Sequence, residues 1–96
     1  MAVLMLGQID IHDRETYAGY EAGFMPILQR FGGRIVGLDD APALLEGEWP
    51  FSRVVLIEFD SEEDARAWFE SDEYQALAEK RKQASNAAIM MFKRLG

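Results

Sequence analysis

The sequence contains no cysteine and only one histidine. The missing cysteines exclude disulfide scaffolds, thiol chemistry and cysteine-ligated zinc or iron–sulfur sites. A metal site built on one histidine would need distant carboxylates, so neither a metal nor another cofactor is predicted. Basic residues are also scarce, since 10 Lys and Arg stand against 17 Asp and Glu for a net charge of −7. This balance opposes non-specific binding to nucleic acid or to an anionic membrane.

Long apolar runs and short catalytic motifs are absent as well. Met1 to Gly7 has no basic segment, and its apolar run is too short for a signal peptide or a membrane span, so we interpret it as a strand and expect a cytoplasmic location. There is no Gly-rich phosphate loop, nucleophile elbow or two-histidine motif. The length of 96 residues and 49% hydrophobic content predict one globular domain, residues 1–96.

Hydrophobic spacing predicts the order β-α-β-β-α-β. Strands are expected at 3–11, 34–38, 53–59 and 86–93, and 43–46 could extend or re-form the second strand. Asp13 and Ser61 are predicted to cap the helices, and Gly32-Gly33 to end the first one. Pro26 should kink the first helix near Ala22. The apolar stripe of the second helix slips by one residue at Ser71, which predicts a break there.

The predicted strands are apolar on both faces. In the third strand Val55, Ile57 and Phe59 point one way, and Val54 and Leu56 the other. We therefore expect a ferredoxin-like α+β fold, with a four-stranded antiparallel sheet and two helices on one face. The second apolar face would exceed what soluble monomers expose, which predicts a homodimer formed through the sheets. The alternative is that residues 39–52 fold over that face.

Several motifs, in this order, resemble the DUF1330 family. They are Tyr17 with Tyr20, Phe31-Gly32-Gly33-Arg34, Leu45-Glu46-Gly47, Trp49-Pro50, Arg53-Val54-Val55, Glu58-Phe59 and the run from Ala67 to Ser71 with Glu73-Tyr74. The resemblance covers nearly the whole chain and implies a dimeric α/β barrel, in which two ferredoxin-like protomers pack their sheets together. Asp72 departs from a proline that is common in the family, and Asp13-Arg14 from an Asp-Pro.

The resemblance implies no particular reaction. The family is one of unknown function, and the wider superfamily includes cofactor-free monooxygenases, small isomerases, haem-degrading enzymes and ligand-binding regulators. A shared fold does not choose among these activities.

Two residues are candidates for a catalytic base. His12 follows the first strand, and its imidazole could act as a base or a haem ligand, although an exposed loop histidine is the simpler interpretation. Glu58 would need a cationic partner if its face is buried, and such a carboxylate in a cleft is a candidate general base. Arg34, Arg53 or Arg81 could pair with it, which would instead make Glu58 part of a structural ion pair.

Aromatic and polar side chains are the candidates for ligand contact. These are Arg34, Trp49, Arg53, Trp68, Tyr74 and Asn86. The spacing of Trp68 favours an ordinary helix core, whereas Trp49 lies in a predicted loop where a pocket lid or a dimer contact would explain it. Asn86 could donate to a ligand or cap a turn. The basic run Lys80-Arg81-Lys82 is explained by its place at a helix C-terminus.

Two functional hypotheses follow. The first is a homodimeric small-molecule-binding or accessory domain with no chemistry of its own. The alternative is a cofactor-independent enzyme, monooxygenase- or isomerase-like, with a pocket between sheet and helices and with Glu58 or His12 as the base. Convergence of Glu58, Arg53 and Asn86 in that pocket would favour the enzyme. A space filled by side chains of the helices would disfavour it (Tyr17, Phe24, Trp68 and Leu77).

Overall fold

The computed structural model describes residues 1–96. Its elements are β1 (Val3–Ile11), α1 (Arg14–Arg30), β2 (Arg34–Asp39), β3 (Arg53–Phe59), α2 (Glu62–Glu70), α3 (Asp72–Ala84) and β4 (Ser85–Lys93). This is the predicted order, with the second helix divided into α2 and α3. None of the helices combines the length and the apolar character needed to cross a membrane.

The four strands form one antiparallel sheet in the order β2-β3-β1-β4. Burial alternates strictly along β1, because successive side chains point to opposite faces of a strand. In the centre of the sheet Met5 lies opposite Ile57 and Met91, and this row faces the helices. The ferredoxin-like α+β fold predicted from the sequence is confirmed.

Side-chain caps set the ends of the helices. Asp13 accepts a hydrogen bond from the Thr16 backbone N–H at the start of α1, which is helical on both sides of Pro26. Ser71 both ends α2 and begins α3, because its backbone N–H donates to the Trp68 carbonyl while its Oγ accepts from the Tyr74 N–H. The predicted break at Ser71 is confirmed.

The prediction that residues 43–46 extend or re-form the second strand is wrong. β2 ends at Asp39, whose carboxylate accepts from the Ala41 backbone N–H at 2.8 Å and turns the chain away from the sheet. Pro42 follows and has no N–H to give to a strand ladder. Leu44 and Leu45 are then 53% and 95% exposed, so no partner strand holds this segment.

One face of the sheet carries the helices, and the other, which we call the open face, carries none. On the open face Leu6 lies opposite Leu56 and Met90, and Leu4 lies opposite Phe92. Met90 is 56% exposed and Phe92 43% exposed, so residues 40–52 do not cover this part of the sheet. The two-faced apolar pattern of the strands therefore leaves a large apolar surface uncovered in a single chain.

Candidate functional site

A cavity of about 240 Å³ lies between the sheet and the helices, and 13 of its 17 lining residues are hydrophobic. The sheet supplies its floor, α1, α2 and α3 supply its walls, and exposed side chains of α1 and β2 lie at its rim. The floor consists of Met5, Gly7, Ile9, Ile35, Arg53, Val55, Ile57 and Ile89. The walls consist of Tyr17, Tyr20, Phe24, Trp68, Tyr74 and Arg81, and the rim of Glu21, Met25 and Leu38.

A glycine in the floor helps to keep this space open. Gly7 sits in the middle of β1, where every other helix-facing position carries a large apolar side chain. A Cβ atom at this position would lie 2.9 Å from Val55 Cγ1, inside ordinary van der Waals contact. A side chain at residue 7 would therefore enter space that the floor now leaves free.

The aromatic wall is centred on Trp68. Its ring centroid lies 4.1 Å from that of Tyr74, 5.7 Å from that of Phe59 and 5.8 Å from that of Phe24. Trp68 is 1% exposed and Tyr74 is equally buried, so these rings are fixed by their neighbours. Such a wall offers flat apolar surfaces with little freedom to rearrange.

Two tyrosine hydroxyls meet inside the wall. The hydroxyls of Tyr20 and Tyr74 lie 2.9 Å apart in a buried hydrogen bond. Burial raises the pKa of Tyr20, with the nearby Tyr74 as the next cause, so Tyr20 stays a neutral phenol. Each hydroxyl has one hydrogen to donate, and a single bond between them uses only one of the two. One O–H of the pair is therefore available to another acceptor.

Arg53, in the floor of the cavity, forms ion pairs with two carboxylates. Its guanidinium contacts Asp40 at 2.6 Å and Glu21 of α1 at 3.1 Å, and it lies 5.4 Å from the centre of the Tyr17 ring. The hydrogen bond from Arg53 lowers the pKa of Asp40, and the same bond raises the pKa of Arg53. The charge of Arg53 is therefore matched within the protein, by two carboxylates.

Arg81 lines the same cavity, but unlike Arg53 it has no carboxylate partner. It is 7% exposed and belongs to the buried stripe of α3, with Tyr74, Ala78 and Ala84. None of the ion pairs of the protein involves it. Its Nε is buried without a hydrogen-bond partner, and so is the indole Nε1 of Trp68. The cavity wall thus contains two buried donor groups that nothing in the chain satisfies.

The structure brings three of the predicted ligand-contact residues together and leaves the others outside. Arg53, Trp68 and Tyr74 line the cavity. Trp49 lies in the loop, where its ring packs on Phe51 at 5.2 Å and its buried Nε1 has no partner. Asn86 is exposed on the open face, because it pairs with Asp10 in the strand ladder and shares the parity of Met90.

The two predicted catalytic residues also lie outside the cavity. His12 is exposed after β1, and its backbone N–H donates to the Ala84 carbonyl. Glu58 points to the open face, since it alternates with Ile57 and Phe59, which face the helices. Its carboxylate contacts Arg34 at 3.0 Å and Arg94 at 3.2 Å. Glu58 therefore lies on the opposite face of the sheet from the cavity, which corrects the hypothesis that it acts as a base in a pocket beneath the helices.

Arg34 is the partner that the sequence offered for Glu58. It also donates to Asp60 at 2.9 Å, and these bonds, first to Asp60 and then to Glu58, raise its pKa. Its side chain is 46% exposed, whereas that of Glu58 is 15% exposed. The pair belongs to the open face and its edge, so neither residue reaches the cavity.

Arg81 is the functional candidate that is missing from the predicted ligand contacts. The sequence offers it only as a partner for Glu58 and as part of the basic run at a helix C-terminus, which accounts for its neighbours Lys80 and Lys82, both exposed. A signal was nonetheless present. Arg81 stands three residues after Ala78 and seven after Tyr74, in the middle of the apolar stripe of α3, where a helix turns towards the core.

Several solved structures have the same fold as this chain, although their sequences are 20% identical to it or less. RPA0582, a protein of unknown function from Rhodopseudomonas palustris, superposes with a TM-score of 0.82 at 20% identity, over 99% of this chain and 83% of that one. SnoaB, a cofactor-independent oxygenase from Streptomyces nogalater, gives 0.73 at 11% identity, over 99% and 94% of the two chains.

A third structure is a dimeric protein of unknown function and ferredoxin-like fold from Bacteroides fragilis. It superposes with a TM-score of 0.66 at 12% identity, over 97% of this chain and 96% of that one. Identities this low establish the fold alone. A comparison with curated proteins gives no match.

The sequence also matches the profile of a protein family. Residues 2–95 match the profile described as "Domain of unknown function (DUF1330)", which is almost the entire chain. The match agrees with the motifs noted in the sequence and with the ferredoxin-like sheet. This chain belongs to the DUF1330 family.

Proposed function

We propose that this protein is a homodimeric small-molecule-binding protein whose ligand occupies the cavity between the helices and the sheet. The observation that carries the proposal is the cavity of about 240 Å³ in a chain of only 96 residues. Native interiors contain few voids larger than a water molecule, and unfilled space costs stability. A concave, mostly apolar space with a few polar groups is the usual form of a ligand site.

The size of the cavity suggests the size of its ligand. An apolar cavity of about 150 Å³ accommodates benzene. The cavity beneath α1 and α3 is larger, about 240 Å³, and its walls are flat aromatic rings. A two-ring molecule or one of similar volume is therefore the class of ligand that fits, entering past the exposed rim residues Met25 and Leu38.

The homodimer is supported by the open face. Leu4, Leu6, Leu56, Met90 and Phe92 form a continuous apolar surface across β3, β1 and β4. Each such side chain that becomes fully buried contributes roughly 1.5–3 kcal/mol. A second copy of the chain presents the same surface, and a two-fold contact is the commonest arrangement for one. The Bacteroides fragilis protein of the same fold is described as dimeric.

Filling the cavity should weaken the binding of a neutral two-ring probe. We expect wild-type protein to bind 1-naphthamide, and Val55→Phe to reduce the affinity by about 10-fold or more, because the larger ring occupies the floor. Isothermal titration calorimetry measures both. Ala76→Phe is the control, since it adds the same ring at an exposed position of α3, away from both the cavity and the open face.

Two results would contradict the cavity proposal. Wild-type protein that binds neither 1-naphthamide nor its carboxylate analogue 1-naphthoate would show that the space does not accept a ligand of this size. Equal affinity of the Val55→Phe and wild-type proteins would place the probe elsewhere. Circular dichroism of both variants checks that they remain folded.

A charge in the centre of the open face should dissociate the dimer. Sedimentation equilibrium at micromolar concentration is expected to give twice the chain mass of 10.9 kDa for the wild type. Leu6→Glu should raise the dimer dissociation constant by about 100-fold or more, because two carboxylates would be buried without partners. Ala76→Glu adds the same charge to an exposed position of α3 and should leave the mass unchanged. A monomeric wild type would contradict the proposal.

A cofactor-independent enzyme is the second candidate. SnoaB, of the same fold, is a cofactor-independent oxygenase. The observation that favours this candidate is the buried cation Arg81 beside an apolar space, since preorganised positive charge stabilises an anion that develops during a reaction. A base is harder to assign. Glu21 is the one carboxylate that lines the cavity, and Arg53 holds it in an ion pair. We therefore rank binding first.

A further inference from the structure

The most unusual group in the protein is the guanidinium of Arg81. Arginine is rarely buried without a partner, because transfer of an isolated charge out of water is very costly. Arg81 is 7% exposed, takes part in no ion pair and has a buried Nε without a hydrogen-bond partner. The other cavity arginine, Arg53, is matched by Asp40 and Glu21. The two cations of one cavity thus differ in a way that needs an explanation.

The unsatisfied polar groups among the lining residues can all donate a hydrogen bond. The indole N–H of Trp68 is buried and has no partner, and the Tyr20–Tyr74 pair keeps one O–H free. Guanidinium, indole and phenol O–H groups offer hydrogens, and only the guanidinium carries a charge. The one lining carboxylate, Glu21, is half exposed at the rim and already paired. The lining therefore presents one unpaired positive charge, and no unpaired carboxylate, within an otherwise apolar space.

We propose that the ligand of this cavity is a flat, apolar monoanion whose carboxylate, or an equivalent oxyanion, pairs with the Arg81 guanidinium. The aromatic body lies against Trp68 and Tyr74, and both carboxylate oxygens accept from the guanidinium. This inference rests on the proposed function and adds the charge and the binding residue. Arginine suits the task because its planar fork matches a carboxylate in two parallel hydrogen bonds.

A cation that merely follows the helix dipole would look different. Lys80 and Lys82 flank Arg81 near the C-terminus of α3, and both are exposed. An exposed cation at this end of a helix interacts favourably with the helix dipole and keeps its hydration. Arg81 faces inward instead, onto the same cavity that Trp68 and Tyr74 line. The inward direction points the side chain at the space that a ligand would occupy.

A pair of matched probes tests the charge preference. At neutral pH 1-naphthoate is an anion, and 1-naphthamide is a neutral molecule of almost the same shape. Isothermal titration calorimetry on the wild type is expected to give about 10-fold or more tighter binding for 1-naphthoate, the size of one charge-assisted hydrogen-bonded contact. Arg81→Met should remove the preference and bind 1-naphthamide at least as well as the wild type does.

Two further variants show whether the effect belongs to Arg81. Arg81→Lys keeps the charge without the planar fork and should keep only part of the preference. Lys80→Met removes an exposed cation from the neighbouring position and should leave the preference intact. Circular dichroism of each variant confirms that the fold is retained before affinities are compared.

The outcomes separate this inference from the function on which it rests. Binding of both probes with equal affinity to the wild type would overturn the charge preference and leave the cavity as a ligand site. Retention of the preference in Arg81→Met would overturn the role of Arg81. Binding of neither probe would overturn the ligand site itself, and the inference with it.

Discussion

Replacing Gly33 by alanine is expected to destabilise the protein by about 2–3 kcal/mol, since an added methyl group has no room in this part of the core. Gly33 is buried between α1 and β2, and its backbone N–H donates to the Leu28 carbonyl. A Cβ atom there would lie 2.4 Å from Leu28 Cδ1 and 2.7 Å from Phe59 Cε1. Both neighbours are 0% exposed, so neither can move into solvent.

The backbone of Gly33 is not in the left-handed region, unlike that of Gly32 with a φ of 78°. The expected loss is therefore steric and not conformational. Urea titration and thermal unfolding at one fixed protein concentration measure it, because association would otherwise shift the midpoint. A domain of this size should unfold roughly 10–20 °C lower.

Gly19→Ala is the matched control and has the opposite expected sign. Gly19 lies in the interior of α1, where glycine costs about 1 kcal/mol relative to alanine. A Cβ atom there would lie 3.4 Å from Lys80 Cδ, the flexible side chain of an exposed residue. This variant should therefore gain stability. An unchanged or more stable Gly33→Ala protein would show that the core around Leu28 and Phe59 is loosely packed.

The order of the elements could be predicted from the sequence because its local signals agree with the fold. Period-two burial in β1 and the caps at Asp13 and Ser61 all act within a few residues. The break at Ser71 was visible as a phase slip of the apolar stripe, and Ser71 serves as the cap on both sides of it. Such signals need no knowledge of distant contacts.

The faces of the sheet could not be assigned in the same way. The strands are apolar on both sides, so pattern alone does not tell which parity meets the helices. Glu58 was consequently considered for a pocket that it does not reach, since it shares the parity of Leu56 on the open face. The same ambiguity is what predicted an uncovered apolar surface, and Met90 and Phe92 confirm that this surface is exposed in a single chain.

The cavity itself depends on distances that no sequence pattern contains. Helical spacing correctly predicts that Tyr20, Trp68 and Tyr74 point into the core, but not that they leave a space between them. Arg81 illustrates the limit most clearly. Its place in the apolar stripe of α3 indicates that it turns inward, but only the packing of the helices against the sheet shows that it has no partner.

Replacing Arg81 by methionine is expected to stabilise the ligand-free protein by about 1–3 kcal/mol. Methionine has a similar length and fills apolar space, whereas the guanidinium is buried without a carboxylate. Even paired buried charges can be replaced by apolar residues at no cost or with a gain. Urea titration of the two proteins measures the difference. Lys80→Met, at an exposed position of the same helix, should change stability by less than about 0.5 kcal/mol.

The sign of this change separates a binding residue from a structural one. A residue selected to hold the fold together loses stability when it is replaced, whereas one kept for its ligand is retained in spite of its cost to the empty protein. A less stable Arg81→Met protein would therefore contradict the view that the guanidinium is unsatisfied. Saturating 1-naphthoate should reduce this difference, because the ligand binds the folded wild type about 10-fold or more tightly than it binds Arg81→Met and therefore stabilises the wild type more.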